Sequence, residues 1–470
     1  MKRRVFSVVT ALLLIVVFLS GCGGFKPLTG GPSLNADVTS NGGLSVQKGN
    51  YLYFVNGFKN SESLVDGDNK YGEVQNAGIY RAELNSNNEL LKDEEGNLLN
   101  VELLIPKVVG FEKGGLYIFD NYIFYASPTI LKDRTGEVRF DLVDFYLAKL
   151  DGSGVEKIYA TDEYSDIATF SFYKIDNSVY LVVYDGTSIV SVKITNGKVG
   201  TVTKMVEKAT SVAFPSVLEY NSENYTVQDI NKYIYYTREL NNEIDGTILD
   251  MGNVLAKVEI GKNIEDKLIQ DNVWGYSLNY VKNGGLYYMK YSSGSLNSKL
   301  YYRSLNGLDI ANNEEIQLSG TYYNSVLPLN FEGGENKGIV VATDSQLIYV
   351  SDVFVETGMT LLVNEKVTPL FIINGYVYYT YGSKNTLARV NILNVADKAD
   401  LTSEEDEFKV DVKLKADYDN EYIYLYKKHS NENFSSYYLE RIHYMTSSFT
   451  SEFIGVMEEI HLPDEETSVE

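Results

Sequence analysis

The chain repeats one short aromatic strand pattern eight times. Each copy follows a Gly, Asn or Asp turn and contains several large apolar residues with few polar residues between them. The copies begin at Tyr51, Tyr122, Val179, Tyr233, Leu286, Ile339, Tyr376 and Tyr422. The steps between them average about 53 residues, a period typical of repeat architectures and propellers.

The seventh copy shows why this pattern constrains the fold. Residues 376–379 read Tyr-Val-Tyr-Tyr, whereas a strand with one wet face should alternate apolar and polar residues. The segment is short, follows an Asn-Gly turn and is rich in aromatic and β-branched residues, which favours a strand over a helix. It therefore needs cover on both faces in a chain with almost no helical pattern.

Further strands accompany each aromatic strand. A more regularly alternating strand follows, as at 78–84 and 386–393, and weaker apolar strands precede or follow the pair, as at 169–175 and 155–161. Four-stranded sheets stacked radially form a β-propeller, in which every sheet lies between two neighbours. We therefore predict an all-β fold, a β-propeller of eight four-stranded blades. Seven is the alternative, because the first and sixth units depart from the pattern.

The first 21 residues predict a secretory signal. Lys2, Arg3 and Arg4 precede an apolar run that is shorter than the roughly 18–20 residues of a comfortable membrane span, and small residues then lead to Cys22. The sequence "LSGC" resembles the lipobox of bacterial lipoproteins. That resemblance implies cleavage before Cys22, a diacylglycerol on its sulfur, and a lipid-anchored, extracytoplasmic location on the bacterial cell membrane. An uncleaved anchor and a secreted protein with an incidental cysteine are the alternatives.

These features divide the chain into four parts. Residues 1–21 are the predicted lipoprotein signal peptide, and residues 22–42 are the lipidated Cys22 with a flexible Gly/Ser/Asn tether. Residues 43–462 form a single predicted propeller domain, and residues 463–470 are a predicted acidic, disordered tail.

Charge and cysteine usage exclude several classes of function. The chain has 41 Lys+Arg against 64 Asp+Glu, and no basic cluster follows the signal, so we expect no nucleic-acid partner. Cys22 is the only cysteine, so a chain lipidated there has no disulfide, no Cys-ligated metal and no thiol nucleophile.

Catalytic motifs are also missing. The three histidines, His429, His443 and His461, show no metal-ligand spacing, and no G-x-S-x-G or phosphate-binding loop occurs. Asp66, Asp68 and Asn69 are weak candidates for a calcium site, but Lys70 stands where another oxygen ligand is expected. We predict a solvated loop there, no metal, no cofactor and no catalytic residue.

The pattern "NGYxYYxxxxxxxxLxRxxxxG", best matched at 374–393 and 231–260, resembles tandem propeller repeats of lipoproteins from low-GC Gram-positive bacteria. It is more distantly similar to the YWTD-type propellers of receptor ectodomains. The resemblance implies a propeller fold and a cell-surface location. The function of that lipoprotein family is largely unknown, so the resemblance implies no catalytic residue.

The sequence therefore predicts a monomeric, membrane-anchored lipoprotein whose propeller is a non-catalytic binding or scaffolding module for a protein or a cell-wall glycan. The alternatives are an extracellular glycan hydrolase or lyase, and an envelope component that works with another membrane protein. Long insertions mark elaborated surfaces, and we expect them to cluster on one face of the propeller. They occupy residues 59–75, 85–100, 126–143 and 238–252.

Overall fold

A computed structural model describes much of the chain from residue 42 to residue 458. The described residues are 42–59, 73–74, 78–87, 89–106, 116–128, 143–160, 169–214, 232–239, 242–244, 247–250, 253–269, 279–281, 285–291, 298–304, 315–317, 325–328, 339–352, 357–373, 375–403, 407–410, 422–431, 434–444, 449 and 451–458. The elements in these ranges are all β-strands. None of the described segments forms a helix with the length and apolar character needed to cross a membrane.

Seven four-stranded antiparallel sheets follow one another along the chain. Sheet 1 contains β1 Ser45–Lys48, β2 Tyr51–Val55, β5 Ile79–Glu83 and β6 Val101–Ile105. Sheet 2 contains β7 Leu116–Phe119, β8 Tyr122–Pro128, β9 Val143–Lys149 and β10 Glu156–Ala160. Sheet 3 contains β11 Thr169–Ile175, β12 Ser178–Tyr184, β13 Ile189–Thr195 and β14 Lys198–Val206. Sheet 4 contains β15 Ser211–Ala213, β16 Tyr233–Glu239, β19 Asn253–Glu259 and β20 Glu265–Ile269.

The next three sheets have the same order. Sheet 5 contains β21 Asn279–Val281, β22 Gly285–Tyr291, β23 Ser298–Ser304 and β24 Glu315–Gln317. Sheet 6 contains β25 Ser325–Pro328, β26 Ile339–Ala342, β27 Leu347–Asp352 and β28 Thr357–Val363. Sheet 7 contains β29 Val367–Ile373, β30 Tyr376–Tyr381, β31 Thr386–Asn391 and β32 Lys398–Asp400.

The last sheet departs from this pattern. Sheet 8 has five strands: β33 Glu407–Val410, β34 Tyr422–Asn431, β35 Phe434–His443, β36 Ser451–Phe453 and β3 Phe58–Lys59. Strand β3 comes from the long connection between the second and third strands of sheet 1, and it pairs with β35 next to β36. The prediction of eight four-stranded blades is therefore wrong. The seven four-stranded sheets match the alternative number, and the eighth aromatic segment belongs to a sheet built from both ends of the described chain.

Each aromatic segment of the repeat forms the second strand of its sheet. The second strands begin at the predicted residue or one residue before it, and the alternating segments form the third strands. The first strands of neighbouring sheets contact each other, as β1 does with β7 and β25 with β29. The first strands therefore lie nearest the ring axis. The fourth strands lie outermost, and most of β14 is solvent-exposed.

The run at 376–379 has partners on both faces, as its composition predicts. Val377 and Tyr379 pack with residues of sheet 6 such as Val340, whereas Tyr378 packs with residues of sheet 8 such as Ile423. Successive side chains of a strand point to opposite faces, so one strand contributes to two inter-sheet cores. Shared cores or strand contacts link every neighbouring pair of sheets, and sheets 8 and 1 meet around Tyr424 and Phe54. The sheets thus form a closed ring, a β-propeller.

The ring closes through side chains and strands from both ends of the described chain. The Asn56 side chain donates to the carbonyl of Val456 at 3.1 Å and accepts from its amide at 3.3 Å. The Tyr426 hydroxyl donates to the carbonyl of Val55 at 3.1 Å. A further pair joins β37 Met457–Glu458 to β4 Glu73–Val74, which lies in the same long connection as β3. Part of the 59–75 insertion therefore helps to close the ring.

An extra residue recurs on the outer strand of five sheets. In each, the register between the third and fourth strands shifts by one residue near the end of the fourth strand, which forms a β-bulge. The extra residue is apolar and at most 6% exposed in every case. These residues are Leu104, Ile158, Met205, Leu268 and Leu362. The bulge thus points one more apolar side chain into the inter-sheet core.

We expect the bulged residues to contribute strongly to stability. Leu104 is 2% exposed, so Leu104→Ala should lower the free energy of unfolding by about 2–5 kcal/mol through lost burial and a residual cavity. The matched control is Leu99→Ala, because Leu99 is 44% exposed and should change stability by less than about 0.5 kcal/mol. Denaturant unfolding measures both, and equal effects would contradict the role of the bulge.

Candidate docking face

The antiparallel order of each sheet defines two faces of the ring. First strands end, and second strands begin, on one face, which we call the turn face. Second strands end, and third strands begin, on the opposite face, which we call the insertion face. Fourth-to-first connections also lie on the insertion face, because four antiparallel strands return the chain to the side where it started.

Three of the four predicted insertions leave from the insertion face. They connect the second and third strands of sheets 1, 2 and 4, whose last cross-strand pairs are Val55–Ile79, Pro128–Val143 and Glu239–Asn253. The fourth insertion, 85–100, joins a third strand to a fourth strand and lies on the turn face. The expected clustering on one face therefore holds for three insertions and is wrong for 85–100.

Two further features mark the insertion face. Within the insertion of sheet 4, β17 Asn242–Ile244 pairs with β18 Thr247–Asp250 in a two-stranded ribbon that joins no other described strand. An isolated two-stranded hairpin is marginally stable in water. The N-terminal segment also reaches the ring on this face, because β1 begins there and Gly43 bridges Leu116 at the start of β7.

The inner strands β7 and β11 are filled with buried side chains. All four residues of β7 are buried, as are Phe170, Phe172 and Tyr173 of β11. The Lys48 side chain is fully buried and donates to the carbonyl of Asp120, whose carboxylate is paired with Lys174 at 2.5 Å. These two lysines tie sheets 1, 2 and 3 together at the turn face.

Many charged residues belong to rows that cross a sheet. In each row a second-strand tyrosine lies opposite a third-strand Arg or Lys, which lies opposite a fourth-strand carboxylate. The rows are Tyr53–Arg81–Glu102 in sheet 1, Tyr235–Lys257–Asp266 in sheet 4 and Tyr424–Arg441–Glu452 in sheet 8. The tyrosine two residues earlier lies beneath the cation, as Tyr422 does at 4.0 Å from the Arg441 guanidinium.

Sheet 7 contains an incomplete row. Arg389 lies 4.3 Å from the centre of the Tyr376 ring, but Ala399 stands where the other rows have a carboxylate. Arg389 donates instead to the backbone carbonyl of Tyr444 at 2.8 Å. In each complete row the cation lies over an aromatic ring and beside a carboxylate on the outer strand, an arrangement that stabilises its charge.

The electrostatics of the described core are those of a structural interior. Burial raises the pKa of Tyr379 to about 12 and raises the pKa of Tyr236, Tyr287 and Tyr288 well above the usual range. Hydrogen bonds from Arg238 hold the pKa of Glu265 below its usual range. The pKa values of the Glu265 and Glu452 carboxyls are lowered, whereas a general acid needs a raised one. No three His, Cys, Asp or Glu side chains in the described part could hold a metal ion.

Most of the site residues predicted from sequence lie outside the described residues. Cys22, Asp66, Asp68 and Asn69 are outside the described residues, as is His461. His443 is at the end of β35, edge-on to the Tyr422 ring with centroids 4.9 Å apart, and His429 lies on β34 opposite Ser436. The two described histidines are therefore on separate strands and are not opposite one another.

Sequence reasoning missed the cross-sheet rows. Their signal is a Tyr-x-Tyr in the second strand followed by Arg or Lys in the third, as in Tyr376-x-Tyr378 and Arg389. The carboxylate comes from a fourth strand at variable distance along the chain, so its register had to be known first.

Comparison with known proteins concerns the fold alone. The chain is similar to a structure of a nidogen/laminin complex, with 11% identity, a TM-score of 0.33, and coverage of 55% of this chain and 89% of that chain. It is similar to oligopeptidase B from Leishmania major (10% identity, TM-score 0.46), covering 73% of this chain and 48% of the peptidase. It is also similar to prolyl oligopeptidase B from Galerina marginata, with 11% identity, a TM-score of 0.47, and coverage of 73% of this chain and 50% of that peptidase.

The chain spans about half the length of these two peptidases. No protein-family model and no curated protein matches the chain.

Proposed function

We propose that this chain is a lipid-anchored, extracytoplasmic propeller that acts as a non-catalytic docking module through its insertion face. The observation that carries this proposal is the coincidence of three long insertions and the N-terminal segment on one face of the ring. Loops on a rigid scaffold are where proteins place binding residues.

The position of the anchor suggests which way this face points. A flexible tether of residues 23–42 would have an end-to-end distance of about 25 Å, because such chains follow roughly 5–6 Å times the square root of their length. With Cys22 in the bilayer, the insertion face would lie within that distance of the membrane. Its partner would then be the outer part of a membrane protein or a cell-wall glycan close to the bilayer.

The internally paired charges favour docking over glycan hydrolysis. A glycosidase needs two carboxyl groups about 5–10 Å apart that face the substrate. The described row carboxylates instead contact Arg or Lys, as Glu452 contacts Arg441 at 2.6 Å and Asp266 contacts Lys257 at 3.3 Å.

Lipidation is tested by Cys22→Ala. We expect the wild-type protein to incorporate radiolabelled palmitate and to enter the detergent phase on phase partition, because two acyl chains anchor a protein stably. The variant should lose all of the label and should move to the aqueous phase. Ser33→Ala, in the same tether, is the matched control. Label on the Cys22→Ala protein would contradict the proposal.

The docking face is tested by replacing residues 242–250 with Asn-Gly. In pull-downs from solubilised native membranes, this change should reduce the bound partner about tenfold, the effect of losing one or two buried contacts. The matched control is Lys198→Ala plus Thr201→Ala, two exposed positions on the outer strand β14, and both variants are checked by thermal unfolding. Equal loss from both changes, or turnover of cell-wall fragments by the wild-type protein, would overturn docking through this face.

A further inference from the structure

Arg389 differs from the other arginines in the described part of the chain. Each of the others forms an ion pair with a glutamate on the fourth strand of its sheet: Arg81 with Glu102, Arg238 with Glu265, Arg303 with Glu315, and Arg441 with Glu452. Among the described residues Arg389 has no carboxylate partner, because Ala399 stands opposite it on β32. The Asp397 carboxylate accepts instead from the Tyr376 hydroxyl at 2.5 Å. Sheet 7 therefore has the cation of a row without the anion.

The Arg389 guanidinium is held in place although it lacks an anion. It lies over two aromatic rings, 4.3 Å from the centre of the Tyr376 ring and 4.5 Å from the centre of the Phe449 ring. Its Nη1 donates to the Tyr444 carbonyl at 2.8 Å and lies 3.5 Å from the Tyr378 hydroxyl. Aromatic faces stabilise a cation and fix its plane, so the guanidinium is oriented before any ligand arrives.

The opposite edge of this guanidinium lacks an acceptor. The Nε atom of Arg389 is buried and has no hydrogen-bond partner among the described residues. In a paired arginine this edge binds a carboxylate, since Arg238 donates to the two oxygens of Glu265 from Nε at 2.7 Å and from Nη2 at 2.8 Å. A buried donor without an acceptor costs free energy. The Arg389 side chain as a whole is only half-buried, so the missing acceptor can come from solvent.

We propose that Arg389 binds a carboxylate group from outside the chain, at the junction of sheets 7 and 8 on the turn face. Tyr376 begins β30, and Phe449 lies in the connection between β35 and β36, so both rings belong to that face. The planar fork of a guanidinium matches a carboxylate, the group that fills this position in the complete rows. The carboxylate belongs either to a small organic acid or to an acidic side chain of a docked protein. The proposal does not depend on the lipid anchor or on the insertion face.

The test follows the Nε–H signal of Arg389 by NMR in the full chain, kept in detergent. Arg389→Lys identifies the signal by removing it. Acetate should shift this signal in a saturable way, whereas sodium chloride at the same ionic strength should not, because paired hydrogen bonds select the carboxylate. The Arg238 signal is the internal control and should not move, since its Nε already donates to Glu265.

Two substitutions at one position then check the site. Ala399→Glu should complete the row, so the Arg389 signal should move without acetate and should lose its response to acetate. Ala399→Gln is the matched control, and it should leave a clear response, because a neutral amide binds a guanidinium more weakly than a carboxylate does. Thermal unfolding checks that both variants fold.

The source of the carboxylate is separated by a capped peptide with a single glutamate. Tighter binding of this peptide than of acetate would assign the carboxylate to a docked protein, and equal binding would assign it to a small acid; both support the site. An Arg389 signal that acetate does not shift, an equal response to chloride, tighter binding of methyl phosphate, or an undiminished response in Ala399→Glu would each overturn the proposal.

Discussion

We expect the protein to lose its fold between about pH 10 and about pH 11, with the tyrosines ionising in the same transition. Burial raises the pKa of Tyr379 to about 12 and raises five other pKa values well above the usual range. These five are Tyr125, Tyr235, Tyr236, Tyr287 and Tyr288. Below about pH 10 the hydroxyls are protonated in both the folded and unfolded chains, so stability is unaffected.

Above that pH the unfolded chain releases protons that the folded chain retains, so stability falls as pH rises. At one pH unit above the ordinary pKa of tyrosine, each such residue lowers the free energy of unfolding by about 1 kcal/mol. The six tyrosines together lower the free energy of unfolding by several kcal/mol. A typical protein is stable by only about 5–15 kcal/mol, so this loss is large enough to unfold it. Circular dichroism and ultraviolet absorbance along a pH titration measure unfolding and ionisation together.

A single substitution checks the cause. The Tyr125 hydroxyl has no hydrogen-bond partner among the described residues, so Tyr125→Phe removes an ionisable group without removing a hydrogen bond. The variant should keep its stability at neutral pH and unfold at a higher pH than the wild type. Tyrosines that titrate near their ordinary pKa while the sheets stay folded would show that these hydroxyls are not desolvated.

The second large effect concerns ring closure. The Glu452 carboxylate accepts from the Arg441 guanidinium at 2.6 Å and from Lys92 at 2.9 Å, and Lys92 belongs to the sheet 1 connection. Arg441 is 3% exposed, so Glu452→Ala would leave a buried guanidinium without its carboxylate. We expect a loss of about 3–5 kcal/mol in the free energy of unfolding, the usual result of removing one partner from a buried pair.

The matched control is Asp266→Ala, at the same row position in sheet 4. Asp266 is 62% exposed, so its pair with Lys257 should contribute less than about 1 kcal/mol. Denaturant unfolding compares the two variants. Equal losses would mean that closure through Glu452 adds nothing to an ordinary row.

The pH dependence of the free energy of unfolding at acidic pH gives a second measurement on Glu452. Burial alone would raise the pKa of this carboxyl, but Arg441 and Lys92 more than offset burial and lower it. A lowered pKa means that its stabilisation is present above the unfolded value of about 4.3 and is lost as pH falls through the folded value. Glu452→Ala should therefore flatten the decline in stability below about pH 4.

Much of the fold was predictable because each repeat can be recognised from the residue types of one short segment. The second strands start within one residue of the predicted positions, since an unbroken aromatic run such as 376–379 is stable only between two covered faces. The β-bulges were not predictable, although apolar doublets such as Leu104-Ile105 mark them, because a doublet does not show which residue is the extra one.

The candidate docking face was predictable in part. Insertions at 126–143 and 238–252 are visible in the chain, and strand order then assigns both to one face. The prediction failed for 85–100, because this insertion follows the alternating segment 78–84, which forms a third strand, whereas the other three insertions follow second strands.

Sequence alone determined that this protein is built from β-sheets covered on both faces, because desolvation of so many adjacent aromatic residues leaves few other arrangements. Tertiary structure decided the number of four-stranded sheets, the sharing of β35 between β36 and β3, and the pairing of Arg441 with Glu452 and Lys92. The pairing of β3 with β35 and of Lys92 with Glu452 depends on contacts between residues hundreds of positions apart. Such contacts follow from the closure of the ring, which local composition does not encode.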